Sequence, residues 1–263
     1  MGRVYTLVNQ KGGVGKTTTA INLGASLAQL NQRVLLVDVD PQANATSSLG
    51  VDKHSVNGGT YAALLEGTIP PAQVLHNPRL KLSILPSSPD LAGAEVELVN
   101  ELGRESRLAR AIAPLVDRYD YVLVDCPPSL GLLTINGLMA ARDGVLIPVQ
   151  CEYLALEGLG ELMHTIKRVQ AALFPSLHVR GVVLTMFDHR TRLANDVVAE
   201  VRKYFDALVF QSIIPRSIRL AEAPSYGLPI TAYAPGSSAT RAYEALAREL
   251  LQGDGISNPQ VGT

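Results

Sequence analysis

The sequence predicts an α/β fold: a doubly wound, mostly parallel sheet with helices on both faces. Three observations predict it. Short runs rich in Val, Leu and Ile alternate with stretches of helical periodicity from end to end. Several of those runs, Val34-Leu35-Leu36-Val37 among them, are apolar without alternation, as strands covered on both faces require. A glycine-rich segment stands where the first apolar run gives way to the first helical pattern, and aspartates close two later runs. Both lie where an open parallel sheet binds its ligand, beyond the carboxyl ends of its strands.

Taken in order, the expected strands cover residues 4–8, 34–37, 82–85, 121–125, 145–149, 179–185 and 209–213. After the first, Ala20, Leu23, Leu27, Ala28 and Leu30 recur at helical spacing. The clearest amphipathic helix presents Leu159, Leu162, Met163, Ile166, Val169 and Leu173 on one face, and another presents Val197, Val198, Val201 and Phe205. Pro70-Pro71, Pro86, Pro89 and Pro127-Pro128 mark loops, and no Pro/Ser/Gly linker or internal repeat divides the chain. The expectation is one domain over residues 1–252, with a small, polar, disordered tail over 253–263.

The segment Asn9-Gln10-Lys11-Gly12-Gly13-Val14-Gly15-Lys16-Thr17-Thr18-Thr19 has the composition of a phosphate-binding loop. Its glycines let backbone N–H groups encircle phosphate oxygens, and the helix start adds partial positive charge. Lys16 can reach β- and γ-phosphates, and the Thr17 hydroxyl can ligate Mg²⁺. A standard loop has glycine five residues before Gly15; here that residue is Gln10, and a second lysine, Lys11, follows. Asp38 and Asp40 end the 34–37 run, where they can orient metal-bound or attacking water, and Asp40, further into the loop, is the better placed for the nucleophile. Asp125 ends the 121–125 run as a magnesium-side carboxylate, before a stiff Pro127-Pro128-Ser129 segment suited to sensing the γ-phosphate. The base is expected against the later strand ends, around residues 181–188 and 213–217. Absence of an Asn-Lys-x-Asp signature there favours adenine over guanine.

The bulk properties limit the alternatives. Of 263 residues, 47% are apolar, enough for a sizeable core, and the net charge of −1 leaves any nucleic-acid contact to a local patch. Cys126 and Cys151 form no CxxC, and the five histidines lack ligand spacing, which argues against structural zinc and a disulfide framework. No signal peptide precedes the first strand and no apolar run spans a bilayer, so a cytoplasmic setting is expected. Between residues 167 and 219 basic side chains outnumber acidic ones, with no aromatic interleaving, a pattern suited to duplex phosphates.

The combination of Lys11-Gly12-Gly13-Val14-Gly15-Lys16-Thr17, Val37-Asp38-Val39-Asp40-Pro41-Gln42 and Val124-Asp125-Cys126-Pro127-Pro128 resembles the ParA/Soj family of partition ATPases, P-loop proteins with a deviant Walker A loop. The resemblance extends through Val149-Gln150-Cys151-Glu152-Tyr153, Ala155-Leu156-Glu157-Gly158 and Ile214-Pro215-Arg216-Ser217-Ile218-Arg219-Leu220-Ala221-Glu222-Ala223-Pro224, to about Leu251. The later segments are those of the chromosomal branch, without the N-terminal helix-turn-helix of some plasmid relatives. The resemblance implies a slow, partner-stimulated ATPase using ATP and Mg²⁺. Its ATP-bound homodimer binds double-stranded DNA without sequence preference, and a ParB-type centromere-binding protein stimulates hydrolysis and release, giving a nucleoid-associated protein. It also implies roles. The loop from Lys11 to Thr18 holds the phosphates, with Lys11 reaching across the dimer to the other subunit's nucleotide and Glu152 at the same interface. Lys11, Lys16 and Asp40 serve catalysis, and Thr17, Asp40 and Asp125 the metal. Met186, Pro215 and Ser217 line the adenine, Ser217 standing where the family more often has Asn. Arg190, Lys203, Arg216 and Arg219 meet DNA. A MinD-like membrane-positioning ATPase shares the loop but needs a basic amphipathic C-terminal helix, and residues 252–263 contain no Lys or Arg. A nitrogenase-iron-protein-like reductase needs converging cysteines, which Cys126 and Cys151 do not suggest. A cellulose-synthesis accessory ATPase stays open.

Overall fold

A computed structural model describes residues 2–153 and 155–256, the side chains of 155–157 aside. Its strands are β1 (Arg3–Leu7), β2 (Val34–Asp38), β3 (Leu75–Asn77), β4 (Leu82–Leu85), β5 (Tyr121–Asp125), β6 (Val145–Gln150) and β7 (Val179–Thr185). They form one sheet in the order β3-β4-β2-β5-β1-β6-β7, parallel throughout except for β3 against β4. The chain winds outward from β1 to β2 and β4, returns through β5, then crosses to β6 and β7. The reversal leaves a crevice at the carboxyl end of β1, between β5 and β6.

The α-helices of the described residues are α1 (Lys16–Gln29), α2 (Asn44–Ser48), α3 (Gly59–Glu66), α4 (Leu91–Glu97), α5 (Arg107–Val116), α6 (Leu132–Ala140), α7 (Ala155–Ala172), α8 (Arg192–Phe205), α9 (Ile218–Glu222), α10 (Ile230–Tyr233) and α11 (Ser238–Gly253). Side chains alternate across each strand, so one strand supplies two cores. Leu35 and Val37 of β2, with Val122 and Val124 of β5, pack under α3 to α8. Val34, Leu36, Tyr121 and Leu123 pack on the other face under α1 and α11. Two covered faces explain why these strands read as unbroken apolar runs.

Three expectations need correction, and one strand was not foreseen. Residues 209–213 form no strand: an isolated bridge from Val182 to Val209 ties them to β7, and the Ile214 N–H donates to the Leu184 carbonyl just beyond. The Gln211 and Ser212 N–H groups donate instead to the Glu249 carboxylate, at 2.6 and 3.0 Å. The edge strand β3 was not expected, being three residues long and half-polar. Leu173 falls past the end of α7 and is 43% exposed, while Phe174 turns back onto the core. Finally, the expected tail does not begin at 253: Asp254 is buried and Ile256 packs partly against the core. α11 reaches Gly253, and the Asp254 carboxylate accepts from the hydroxyls of Tyr5 at 2.7 Å and Tyr121 at 2.9 Å, and from the Arg180 guanidinium at 3.1 Å. The tail expectation for 257–263 lies outside the described residues.

Candidate functional site

The loop after β1 is braced from β6 and β7 and by a bond of its own. Asn9 donates from Nδ2 to the Pro148 carbonyl at 2.7 Å and accepts the Lys11 N–H on Oδ1 at 3.0 Å. From the end of β7, the Thr185 hydroxyl donates to the Val14 carbonyl at 2.8 Å. Gly13 and Gly15 take φ of 76° and 86°, left-handed backbone open to glycine at little cost. Gly15 caps α1 without a side chain, so the N–H groups of the first helical turn stay available to an anion. Lys16 is only 6% exposed; its Nζ donates to the Lys11 carbonyl at 3.3 Å. Burial holds its ammonium below the usual lysine range, opposed by Asp125, Cys126 and Asp40.

Two aspartates end adjacent strands in register, Asp38 on β2 opposite Asp125 on β5. Their surroundings differ. Asp38 is fully bonded: Oδ2 accepts the N–H and hydroxyl of Thr46 at 2.8 and 2.7 Å, and Oδ1 accepts the Asp40 N–H at 3.2 Å. Both oxygens of Asp125 are buried without a hydrogen-bond partner. Burial, then the neighbouring Asp38 charge, push the Asp125 carboxyl up to about 8, against the opposing pull of Thr17 and Lys16. Burial raises Asp38 to about 6, moderated by its bonds from Thr46. An orphaned carboxylate beside a threonine hydroxyl fits a hard divalent cation. Among the described residues no cluster of three or more His, Cys, Asp or Glu could hold a metal unaided, so a cation here would share its shell with ligand phosphates, as Mg²⁺ does. Asp40, 6% exposed, accepts the Gln42 N–H at 2.9 Å. Across the loop, a Cβ on Gly12 would lie 4.0 Å from Pro128, so the stiff segment after β5 runs beside the phosphate loop.

Beside the loop opens a cleft of about 250 Å³ lined by Gly15, Thr18, Met186, Pro215 and Ser217, all expected at the nucleotide. It adds Thr185, inside the 181–188 stretch expected for the base, and Leu220 and Tyr243, to which the sequence reading gave no role there. Thr185 was legible as a polar strand end. Nothing local marks Tyr243, whose hydroxyl meets that of Thr19 at 3.3 Å from a helix over two hundred residues downstream. The Ile214 N–H donates to Leu184 and the Arg216 N–H to Phe187, both at 2.9 Å, holding the two walls together. A larger cleft of about 440 Å³ opens at the β3 edge and contains none of the expected residues.

The remaining expected residues are less convergent. Glu152 pairs with Arg216 at 3.0 Å within the chain. Arg190 pairs with Asp188 at 2.7 Å and Arg219 with Glu222 at 3.1 Å. The bridge from Phe187 to Pro215 brings the Arg190 loop beside Arg216, three residues before Arg219. Lys203 lies apart, eleven residues into α8 or about 16 Å along its axis. Cys126 and Cys151 are buried free thiols.

Comparison with known proteins adds the following. A family profile described as an AAA domain matches residues 2–179. The chain is 54% identical over 261 residues to the chromosome partitioning protein ParA of Myxococcus xanthus, covering 99% of this chain and 92% of that one. It is 52% identical over 256 residues to the chromosome-partitioning ATPase Soj of Treponema pallidum, covering 97% and 99%. Among solved structures, a cobyrinic acid a,c-diamide synthase of Mycobacterium smegmatis with bound ATP analog and magnesium superposes with a TM-score of 0.85 at 38% identity, covering 99% and 98%.

Proposed function

The chain belongs to the ParA/Soj family of chromosome-partitioning ATPases, and on that premise we propose that it is an ATP-controlled DNA-partition switch. Bound to ATP it pairs with a second copy and holds duplex DNA; hydrolysis, stimulated by a ParB-type partner, releases it. The observation that carries the nucleotide half of this reading is the convergence of buried Lys16 and the unpartnered Asp125 carboxylate on the open start of α1. The ATP analog and magnesium of the Mycobacterium smegmatis structure support the same ligands here.

In this reading the backbone from Lys11 to Thr18 and the Lys16 ammonium cradle the phosphates, and Met186, Pro215 and Ser217 enclose the adenine. Thr17 and Asp125, with Asp40 on the water side, would hold Mg²⁺. When bound, that ion supplies positive charge against the phosphate oxygens and weakens the bond to the leaving ADP. Asp40 orients the attacking water and accepts its proton. Lys11 reaches the second subunit's nucleotide, with Glu152 at the same face. Tyr153 and Ile218, 79% and 77% exposed beside Glu152 and Ser217, offer apolar area for that contact. Arg190, Arg216, Arg219 and, from the far end of α8, Lys203 meet DNA phosphates. The setting is the cytoplasm, on the nucleoid. No described helix is long and apolar enough to cross a membrane.

The two lysines separate nucleotide binding from pairing. Lys16→Ala should lose ATP binding by calorimetry while staying folded. Lys11→Ala should bind ATP as a monomer yet fail to form the ATP dimer by light scattering. An ATP dimer in Lys11→Ala would remove Lys11 from the interface, and wild-type affinity in Lys16→Ala would remove Lys16 from the phosphates.

A further inference from the structure

We propose that Asp38, Thr46 and Ser87 act as positioning residues, holding Asp40 in a closed ring of buried hydrogen bonds that sets the rate of hydrolysis and not the affinity for nucleotide. The proposal deepens the ATPase reading above and rests on it.

The ring closes through four residues from three parts of the chain. The Asp40 N–H donates to Asp38 Oδ1 at 3.2 Å. The other oxygen of that carboxylate, Oδ2, accepts the Thr46 hydroxyl at 2.7 Å. The Thr46 oxygen in turn accepts the Ser87 N–H at 2.9 Å, and the Ser87 hydroxyl donates to the Asp40 carbonyl at 2.8 Å. Asp40 is therefore gripped by its N–H and its carbonyl, and its Oδ1 accepts the Gln42 N–H, leaving Oδ2 for the reaction. The ring spans the ends of the neighbouring strands β2 and β4 and the short helix α2. A second tie braces it from outside. The Thr60 hydroxyl donates to the Asp38 carbonyl at 2.7 Å, and the Thr60 N–H to the Pro86 carbonyl at 2.9 Å. That approach needs glycine at 59, where φ is 59° and a Cβ would lie 2.2 Å from the Pro86 oxygen.

Two features set this ring apart from ordinary loop bonding. Asp38, Thr46, Thr60 and Ser87 are all fully buried, so their bonds polarise one another in a low-dielectric setting and resist exchange with water. And Asp38 has no free oxygen, whereas Asp125, its register partner, has both oxygens unpartnered. The adjacent aspartates thus divide the work: Asp125 is available to a cation, and Asp38 is committed to holding Asp40. A carboxylate that orients water acts only at the chemical step. Freeing it to move by about 1 Å costs on the order of a hundredfold in rate with little effect on ground-state binding.

The test compares single-turnover Mg²⁺-ATP hydrolysis and ATP affinity in the full-length protein and three variants. Thr46→Val keeps the side-chain shape but removes the oxygen shared by two ring bonds. Ser87→Ala removes only the bond to the Asp40 carbonyl, and Thr46→Ser keeps the ring. Thr46→Val and Ser87→Ala should hydrolyse about ten- to a hundredfold more slowly, with ATP affinity within about twofold of wild type. Thr46→Ser should recover most of the rate. Unchanged rates in both ring-breaking variants would overturn the proposal, as would equal losses of rate and affinity or a failure of Thr46→Ser to recover. If Thr46→Val does not fold, Ser87→Ala decides by the same criteria. Absence of turnover in the wild-type chain with DNA and Mg²⁺-ATP would overturn the ATPase reading and the ring's role with it, a result distinct from normal turnover in every protein.

Discussion

At Asp125 two carboxylate oxygens are buried without a partner, and burial raises the group to about 8. The ordinary value in an unfolded chain is near 4. A folded value above the unfolded one means that the folded chain holds the proton longer. Its stabilising contribution is present below about pH 4 and is lost as pH rises through the folded value. Asp38, raised to about 6, adds to the same trend. The ligand-free protein should therefore lose stability between pH 4 and 8, and Asp125→Asn should be stabilised relative to wild type more at pH 8 than at pH 5. Magnesium requires the ionised carboxylate, so Mg²⁺-ATP binding should release protons and tighten from pH 6.5 to 8.5 in wild type. Calorimetry in two buffers of different ionisation enthalpy reads both effects. A pH-independent affinity, or the same pH dependence in Asp125→Asn, would take the metal away from this residue.

Among elements, the two strand-end segments beside β7 carry Arg190, Arg216 and Arg219, while Lys203 sits at the far end of α8. Arg190 is engaged with Asp188 and Arg219 with Glu222, and both guanidinium groups are well exposed. Exposed pairs contribute little and exchange readily for phosphate partners. Charge reversal should weaken binding to every duplex sequence about equally and lower the salt slope by about 1 per lost contact. Filter binding at several salt concentrations tests this. Wild-type, ATP-dependent binding in the Arg190→Glu, Arg219→Glu double variant would leave the basic stretch a solvated face. Legibility followed the same scale. The loop, the two aspartate-ended strands and the parallel sheet were readable because each is coded by consecutive residues. The failures were tertiary. Residues 209–213 have strand composition, but Glu249, far along the chain, takes two of their N–H groups. Thr46 and Ser87 carry no local signal, since a hydroxyl's partner is set by where β2 and β4 end. Asp254 sits in a polar sequence that resembles a tail, and only the assembled sheet supplies its partners.

Across the whole molecule, the Asp254 cluster fastens the end of α11 to the amino-terminal edge of the sheet, opposite the nucleotide loop. Its carboxylate, 1% exposed, joins Tyr5 of β1, Tyr121 of β5 and Arg180 of β7, with Arg3 at 3.6 Å. Burial, with the carboxylate beside them, holds both tyrosine hydroxyls above the usual phenol range. Asp254→Ala would leave a half-buried guanidinium and two buried hydroxyls without their shared acceptor, at a cost of about 3–5 kcal/mol. Denaturant unfolding should show that loss while ATP binding, at the far edge, persists in the remaining folded protein. A loss under 1 kcal/mol would make the cluster incidental. At the other edge, pairing of two copies would present each basic patch twice, and two linked weak sites bind far more tightly than one. Nucleotide could then govern DNA affinity through dimerisation alone. The most direct test is fluorescence anisotropy of a labelled duplex of arbitrary sequence, titrated with the full-length chain in Mg²⁺-ATP, in Mg²⁺-ADP and without nucleotide. Tight, sequence-independent binding with ATP alone is the predicted result; equal affinity in all three conditions would contradict a nucleotide-controlled partition switch.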